Sequence, residues 1–193
     1  MKKSIIIILA ILAVIVLWGI SAYNGLVKLQ EGVEKSWADV ENQYQRRLDF
    51  IPNLVNTVKG YAAHEQQTFT QVVEVRAKAT QLTLKVDDLT DENLQKYQQA
   101  QSELSSALSR LLAVSENYPE LKANENFLQL QAQLEGTENR IAVERRNFNN
   151  AARVYNEKIR RFPTSLIVGI FKFDRKPYFQ AAEEARRVPE VKF

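Results

Sequence analysis

Residues 127–162 read FLQLQAQLEGTENRIAVERRNFNNAARVYNEKIRRF and carry the clearest helical pattern of the chain. Inward-facing positions recur along the whole length of this stretch at steps of three or four residues. These positions are Phe127, Leu130, Leu134, Thr137, Ile141, Glu144, Phe148, Ala152, Tyr155, Ile159 and Phe162. Because one helical turn takes about 3.6 residues, this spacing puts them all on one face of an α-helix. A seven-residue repeat kept over so many turns predicts a long helix that supercoils with neighbouring helices.

Three further helices are predicted before this stretch, each with apolar residues at the same spacing. The first continues from the N-terminal segment to about residue 49. Pro52 has no backbone N–H and disfavours helical geometry at Ile51. We therefore expect a kink or break at residues 49–52, with the second helix beginning after it.

Polar connections are expected before the third and fourth helices, with Thr90 and Asn124 as their N-caps. Short connections of this kind favour antiparallel neighbours. The sequence therefore predicts an all-α protein in which residues 24–162 form an elongated, coiled-coil-like antiparallel four-helix bundle.

The N-terminus carries an apolar segment without charge from Ile5 to Ile20, which extends to Tyr23. A helix that crosses the hydrocarbon core needs about 20 mostly apolar residues. Trp18 and Tyr23 lie where an interfacial aromatic belt is expected. The alternative is a cleaved signal peptide, but its apolar region is usually only about 7–15 residues long. Residues 1–23 are therefore interpreted as an uncleaved N-terminal transmembrane helix.

The charges that flank this segment predict its orientation. Lys2 and Lys3 precede it, whereas the lysines that follow it are mixed with glutamates. The positive-inside rule then places the N-terminus inside the cell and the bundle outside the cytoplasm, as in a single-pass protein.

Composition excludes several classes of function. The net charge is +3, and Lys2 and Lys3 supply two of these charges, so no basic footprint for nucleic acid is expected. Each predicted helix has a row of inward-facing residues, which we call its seam. The chain has no cysteine and one histidine, His64, which is interpreted as a helical residue near the seam of the second helix rather than a metal ligand. No activated nucleophile or glycine-rich phosphate loop is recognisable. We therefore expect neither an enzyme nor a bound cofactor.

Several charged residues lie on or beside the predicted seams and are the candidate polar core or interaction residues. They are Arg46, Arg47, Glu65, Arg76, Glu144, Arg145 and Arg146. The favoured interpretation is interhelical ion pairs or polar layers that fix the register of the helices. The alternative is a ligand pocket, although the Glu-x-x-His motif of di-iron bundles is absent.

Residues 163–193 are expected to form an irregular tail, with prolines and an apolar cluster at 166–171. Basic residues alternate there with the candidate contact residues Phe171, Phe173, Tyr178 and Phe179. Docking of the tail on the bundle is the favoured interpretation. Contact with a membrane surface is the alternative, because aromatic and basic residues together suit that interface.

Three strings carry a resemblance to a known family: RRLDFIPNLV at 46–55, VKGYAAHE at 58–65 and SENYPELKAN at 115–124. With further matches as far as the closing Pro189-x-Val191-x-Phe193, the chain resembles the LemA family over nearly its whole length. The resemblance implies a protein of the bacterial inner membrane with one span and an antiparallel four-helix domain. It implies no catalytic residues.

Two functions fit these observations. The first is a scaffold or protein-interaction module anchored at the membrane. Its expected partners are the lipid bilayer and proteins that the sequence does not identify, with homo-oligomers among the possibilities and nucleic acid excluded. The second is an extracytoplasmic ligand-binding or sensor domain, which the charged seam residues suggest.

Overall fold

The computed structural model describes residues 2–180, and these residues form an all-α structure without strands. Its helices are α1 (Lys2–Tyr61), α2 (Gln66–Gln81), α3 (Asp91–Val114), α4 (Pro119–Lys122), α5 (Glu125–Arg160) and α6 (Ser165–Phe171). Short 3-10 turns lie at Val86–Asp88 and Ser115–Asn117. The predicted fold class is confirmed. The closing motif at residues 189–193 lies outside the described residues.

The four long helices run alternately up and down. α1 packs along α5, and α2 packs along α3. The indole N–H of Trp37 in α1 donates to the carbonyl of Leu84 at 2.9 Å, just beyond the end of α2, so α2 runs back along α1. The side-chain amide of Asn124, before α5, donates to the hydroxyl of Tyr61 at the end of α1 at 2.9 Å. These contacts define the antiparallel bundle that the sequence predicts.

The predicted seams form the core, with one exception. The buried residues form two apolar clusters, and Trp37 lies in the one nearer the N-terminal segment, with ring centroids 5.6 Å from Tyr97 of α3 and 5.5 Å from Phe148 of α5. Phe162, which the sequence places at the end of the fourth seam, is exposed instead. The reason is that α5 ends at Arg160, so Phe162 lies in the turn that follows the helix.

The N-caps agree with the sequence analysis. The Thr90 hydroxyl accepts a hydrogen bond from the backbone N–H of Asn93 at 3.1 Å. The Asn124 side chain accepts one from the backbone N–H of Phe127 at 3.0 Å. Each cap satisfies one of the backbone donors that a helix leaves free at its start.

The break expected at residues 49–52 does not occur. α1 continues through Pro52 to Tyr61, and the turn to α2 lies at residues 62–65. His64 is exposed in this turn and is not in a helix, contrary to the sequence interpretation. Pro52 lies on the exposed side of α1.

A long-range hydrogen bond compensates for the proline. Pro52 cannot donate to the carbonyl of Leu48, four residues earlier. The Nε–H of Arg76 in α2 donates to that carbonyl at 3.1 Å. An arginine from a neighbouring helix therefore occupies the acceptor that the proline leaves free.

We expect Arg76→Met to lower the free energy of unfolding by about 1–2 kcal/mol, because it leaves a half-buried carbonyl without its donor. Chemical denaturation in mild detergent, followed by circular dichroism, measures the change. Lys78→Met is the matched control, since it removes the same charge from an exposed position of α2. In a Pro52→Ala background the cost of Arg76→Met should shrink, because the alanine supplies its own backbone N–H. An equal cost in both backgrounds would contradict this explanation.

The N-terminal part of α1 differs from the rest. Among the described helices, α1 alone has a stretch long and apolar enough to cross a membrane, and none of that stretch is buried in the structure. From Leu26 onward the same helix enters the bundle core. A single helix thus joins the bare apolar segment to the packed domain.

Candidate functional site

Arg47 is the centre of a polar layer that joins α1, α3 and α5. Its side chain is only 1% exposed. Nη1 donates to the Glu138 carboxylate and to the Ser105 hydroxyl, each at 2.7 Å. Nη2 donates to the backbone carbonyl of Gln101 at 3.3 Å and also to the side-chain oxygen of Gln101. The guanidinium carbon lies 5.1 Å from the centre of the Tyr44 ring.

The tyrosines of this layer stay neutral. Burial raises the pKa of Tyr44, although the nearby Arg145 and Arg47 act in the opposite direction. Burial also raises the pKa of Tyr97, and its neighbour Tyr44 adds to the effect. Near neutral pH neither tyrosine therefore adds a charge to the layer.

Sequence reasoning found Arg47 but not its partner. Glu138 immediately follows the inward-facing residue Thr137, and Gln101 is among the buried residues of α3. A carboxylate one position beside a seam was the available signal, but it could not be matched to one arginine among several without the register of the helices.

The other charged candidates do not converge on one place. Glu65 accepts a hydrogen bond from the Tyr118 hydroxyl at 3.5 Å. Arg76 donates to Leu48, as described above. Glu144 accepts one from the side chain of Asn147 at 2.9 Å. These three residues are thus engaged at separate points along the bundle.

The two outward-facing arginines also lie apart from the layer. Arg46 is exposed, with its guanidinium 5.6 Å from the ring centre of Phe50, and Arg146 is exposed on α5.

An open surface depression of about 510 Å³ is lined only by α2 residues, namely Gln66, Gln67, Thr70, Gln71 and Glu74. None of the charged candidates lines it. Within residues 2–180 no group of three metal-ligating side chains comes together.

The tail returns along α5 in an extended conformation and is held by asparagine side chains. Asn156 donates to the backbone carbonyl of Lys176 at 2.8 Å and accepts from the N–H of the same residue at 2.9 Å. Asn149 makes the same pair of bonds with Phe179, at 3.0 Å and 2.8 Å. We call these two double contacts the asparagine clasps.

The geometry of a helix and of an extended chain explains the spacing of the clasps. Seven residues of helix separate the two asparagines, a rise of about 10.5 Å. Three residues of extended chain separate Lys176 from Phe179, a distance of about 10 Å. The side-chain amides of α5 are therefore in register with the backbone groups of the tail that they bind.

Two more residues hold the end of the described tail. The side-chain amide of Gln98 in α3 donates to the carbonyl of Gln180 at 3.1 Å and accepts from its N–H at 3.5 Å. Arg145 of α5 donates to the same carbonyl at 3.0 Å. Because these bonds reach the backbone, they fix the path of the tail independently of its side chains.

The aromatic residues of the tail divide into buried and exposed ones. Phe179 is buried, stacked 5.9 Å from Trp37 and covered by Arg145, whose guanidinium lies 4.7 Å from the ring. Phe173 is also buried. The half-buried Tyr178 accepts a hydrogen bond from Asn156 at 3.0 Å. Three of the four predicted contact residues thus lie against the bundle, whereas Phe171 is 54% exposed and contacts only the Tyr23 ring among the described aromatic pairs.

Comparison with known proteins places the chain in a family. The family model described as "LemA family" matches residues 36–193. Magnetosome protein MamQ 2 of Paramagnetospirillum magneticum is 27% identical over 176 residues, covering 82% of this chain and 64% of that protein. Protein LemA of Metamycoplasma hominis is 25% identical over 163 residues, covering 84% of this chain and 71% of that protein.

This chain therefore spans just under two thirds of the length of the MamQ relatives. The family match includes the polar layer around Arg47 and both asparagine clasps. Since it extends over most of the sequence, the chain belongs to the LemA family.

Proposed function

We propose that this chain is a membrane-anchored scaffold or protein-interaction module, with its N-terminus inside the cell and its bundle outside the cytoplasm. The observation that carries the proposal is the continuity of α1, which extends from Lys2 to Tyr61 without a break. The part beyond residue 23 rises about 57 Å at 1.5 Å per residue. Because one continuous helix joins the anchor to the bundle, the bundle is held at a fixed distance from the membrane. This arrangement suits the presentation of a binding surface to a partner.

The engagement of the charged residues supports an interaction role over catalysis or ligand binding. Arg47, Arg76 and Glu144 each bond to groups of their own chain. Apolar side chains remain exposed far from the anchor, such as Val73 on α2 and Leu128 on α5. These are the positions at which we propose that a protein partner, or a second copy of the chain, makes contact.

Photo-crosslinking in cells tests the proposal. A photoreactive residue at position 73 or 128 should give a discrete adduct with another protein or a second copy, and the same variants without irradiation are the control. Absence of adducts at both positions, with a strictly monomeric protein in mild detergent, would contradict a scaffold.

A protease-sensitive C-terminal tag in intact spheroplasts reports the side of the membrane. Digestion supports the proposed orientation, and protection until lysis reverses it.

A further inference from the structure

The segment between α5 and the clasped tail turns apolar side chains outward. Phe162 is 81% exposed, Leu166 61%, Ile170 74% and Phe171 54%. Ile167 of the same short helix is buried against the bundle, so α6 is fixed in place with its other face bare. We call the four exposed residues the α6 patch. Exposed apolar surface of this extent marks a site of contact with another apolar phase or molecule.

The α6 patch adjoins the bare apolar part of α1. The ring of Phe171 lies 4.9 Å from that of Tyr23, and the ring of Phe173 lies 5.7 Å from it. Tyr23 closes the apolar segment on the side of the bundle. The patch is therefore continuous with the surface that we propose is embedded in lipid, at the level where the helix leaves the membrane.

Charge at this level suits an anionic surface. Arg160 and Arg161 precede the patch and Lys172 follows it, and all three are exposed. Arg161 lies 3.7 Å from Glu157, which is also paired with Arg153. Basic side chains that flank exposed aromatic and aliphatic residues are typical of segments that lie in the headgroup region of a bilayer.

We propose that residues 161–172 form a second membrane contact, in which the α6 patch lies in the interface of the bilayer that α1 crosses. The proposal rests on the membrane anchor proposed above. α6 has only seven residues, too few to span a bilayer, so its contact is with the interface of the membrane. Two attachments, one through the membrane and one on it, prevent the bundle from pivoting about α1.

The absence of cysteine permits a direct test in the full-length chain. Single variants Ile170→Cys, Val73→Cys and Ile11→Cys are labelled with a nitrobenzoxadiazole probe and reconstituted in vesicles of phosphatidylcholine and phosphatidylglycerol. Brominated lipids then report contact with the bilayer. Val73 is the matched control, because it is exposed on α2 and far from the anchor. We expect several-fold stronger quenching at position 170 than at position 73, with interface-brominated lipid more effective than deep-brominated lipid.

The probe at position 11 separates the two proposals. Quenching at positions 11 and 170 supports both. Quenching at position 11 alone overturns the α6 contact and leaves the anchor intact, whereas quenching at neither position overturns both. A probe at position 170 that is shielded from water but not quenched by lipid would identify a second copy as the occupant, and this also overturns the proposal.

Discussion

Arg47→Ala is expected to lower the free energy of unfolding of the bundle by roughly 2–4 kcal/mol, because it removes the centre of a buried polar layer. The Gln101 side chain and the Ser105 hydroxyl each lose a donor, and a cavity remains between three helices. The loss is smaller than for a fully buried ion pair, since Glu138 is 40% exposed and can be solvated by water. Denaturant unfolding in mild detergent, followed by circular dichroism, measures the effect.

Arg46→Ala is the matched control for this prediction. It removes the same side chain one residue earlier, where the guanidinium is exposed and contacts only the face of Phe50. Its cost should stay within about 0.5–1 kcal/mol. Equal losses for the two variants would show that the layer around Arg47 adds nothing to stability.

A third variant separates stability from register. Arg47→Met with Glu138→Gln fills most of the volume without charge, and apolar replacements of buried ion pairs are often neutral or stabilising. We expect a smaller loss of stability than for Arg47→Ala, because methionine fills the cavity, although Gln101 and Ser105 still lose their donor. If the layer fixes register, cysteine pairs placed across α1 and α5 should nevertheless crosslink in more than one alignment in this variant.

Much of the fold could be predicted because it depends on local pattern. Helical spacing identifies which residues face inward, and polar residues before a seam identify the caps at Thr90 and Asn124. The exposed Phe162 escaped this reasoning, since the spacing continues for one step after α5 has ended. Periodicity gives the face of a helix better than its last residue.

The contacts that distinguish this bundle depend on residues distant in sequence. From the sequence alone, Pro52 predicts a helix break. Only the structure shows that Arg76 of α2 donates to the carbonyl of Leu48. The partner of Arg47 required the register of α1 against α5. The clasps required the path of the tail, which no local pattern contains, although two asparagines seven residues apart beside a seam were a signal in retrospect.

Replacing both clasp residues, Asn149→Ala with Asn156→Ala, is expected to release the tail from the bundle. Each replacement leaves a backbone N–H and a backbone carbonyl of the tail without partners, at a cost of about 1–3 kcal/mol per clasp. Phe179 then loses the backbone contacts that hold it against Trp37. Hydrogen exchange of residues 173–180 measures the release, and a combined loss of at least about 2 kcal/mol for the two clasps corresponds to at least roughly 30-fold faster exchange.

Asn150→Ala controls for the loss of an asparagine from α5, because Asn150 is the exposed neighbour of Asn149 and should leave tail exchange unchanged. Asn156→Asp tests the double contact itself. An aspartate can still accept from the N–H of Lys176, but it cannot donate to the carbonyl of that residue, so its effect should approach that of alanine. Exchange around Leu104, which belongs to a different apolar cluster from Phe173 and Phe179, should not change in any of these variants. If the tail stays protected in the double alanine variant, the burial of Phe173 and Phe179 determines its position. The clasps would then form as a consequence of that burial.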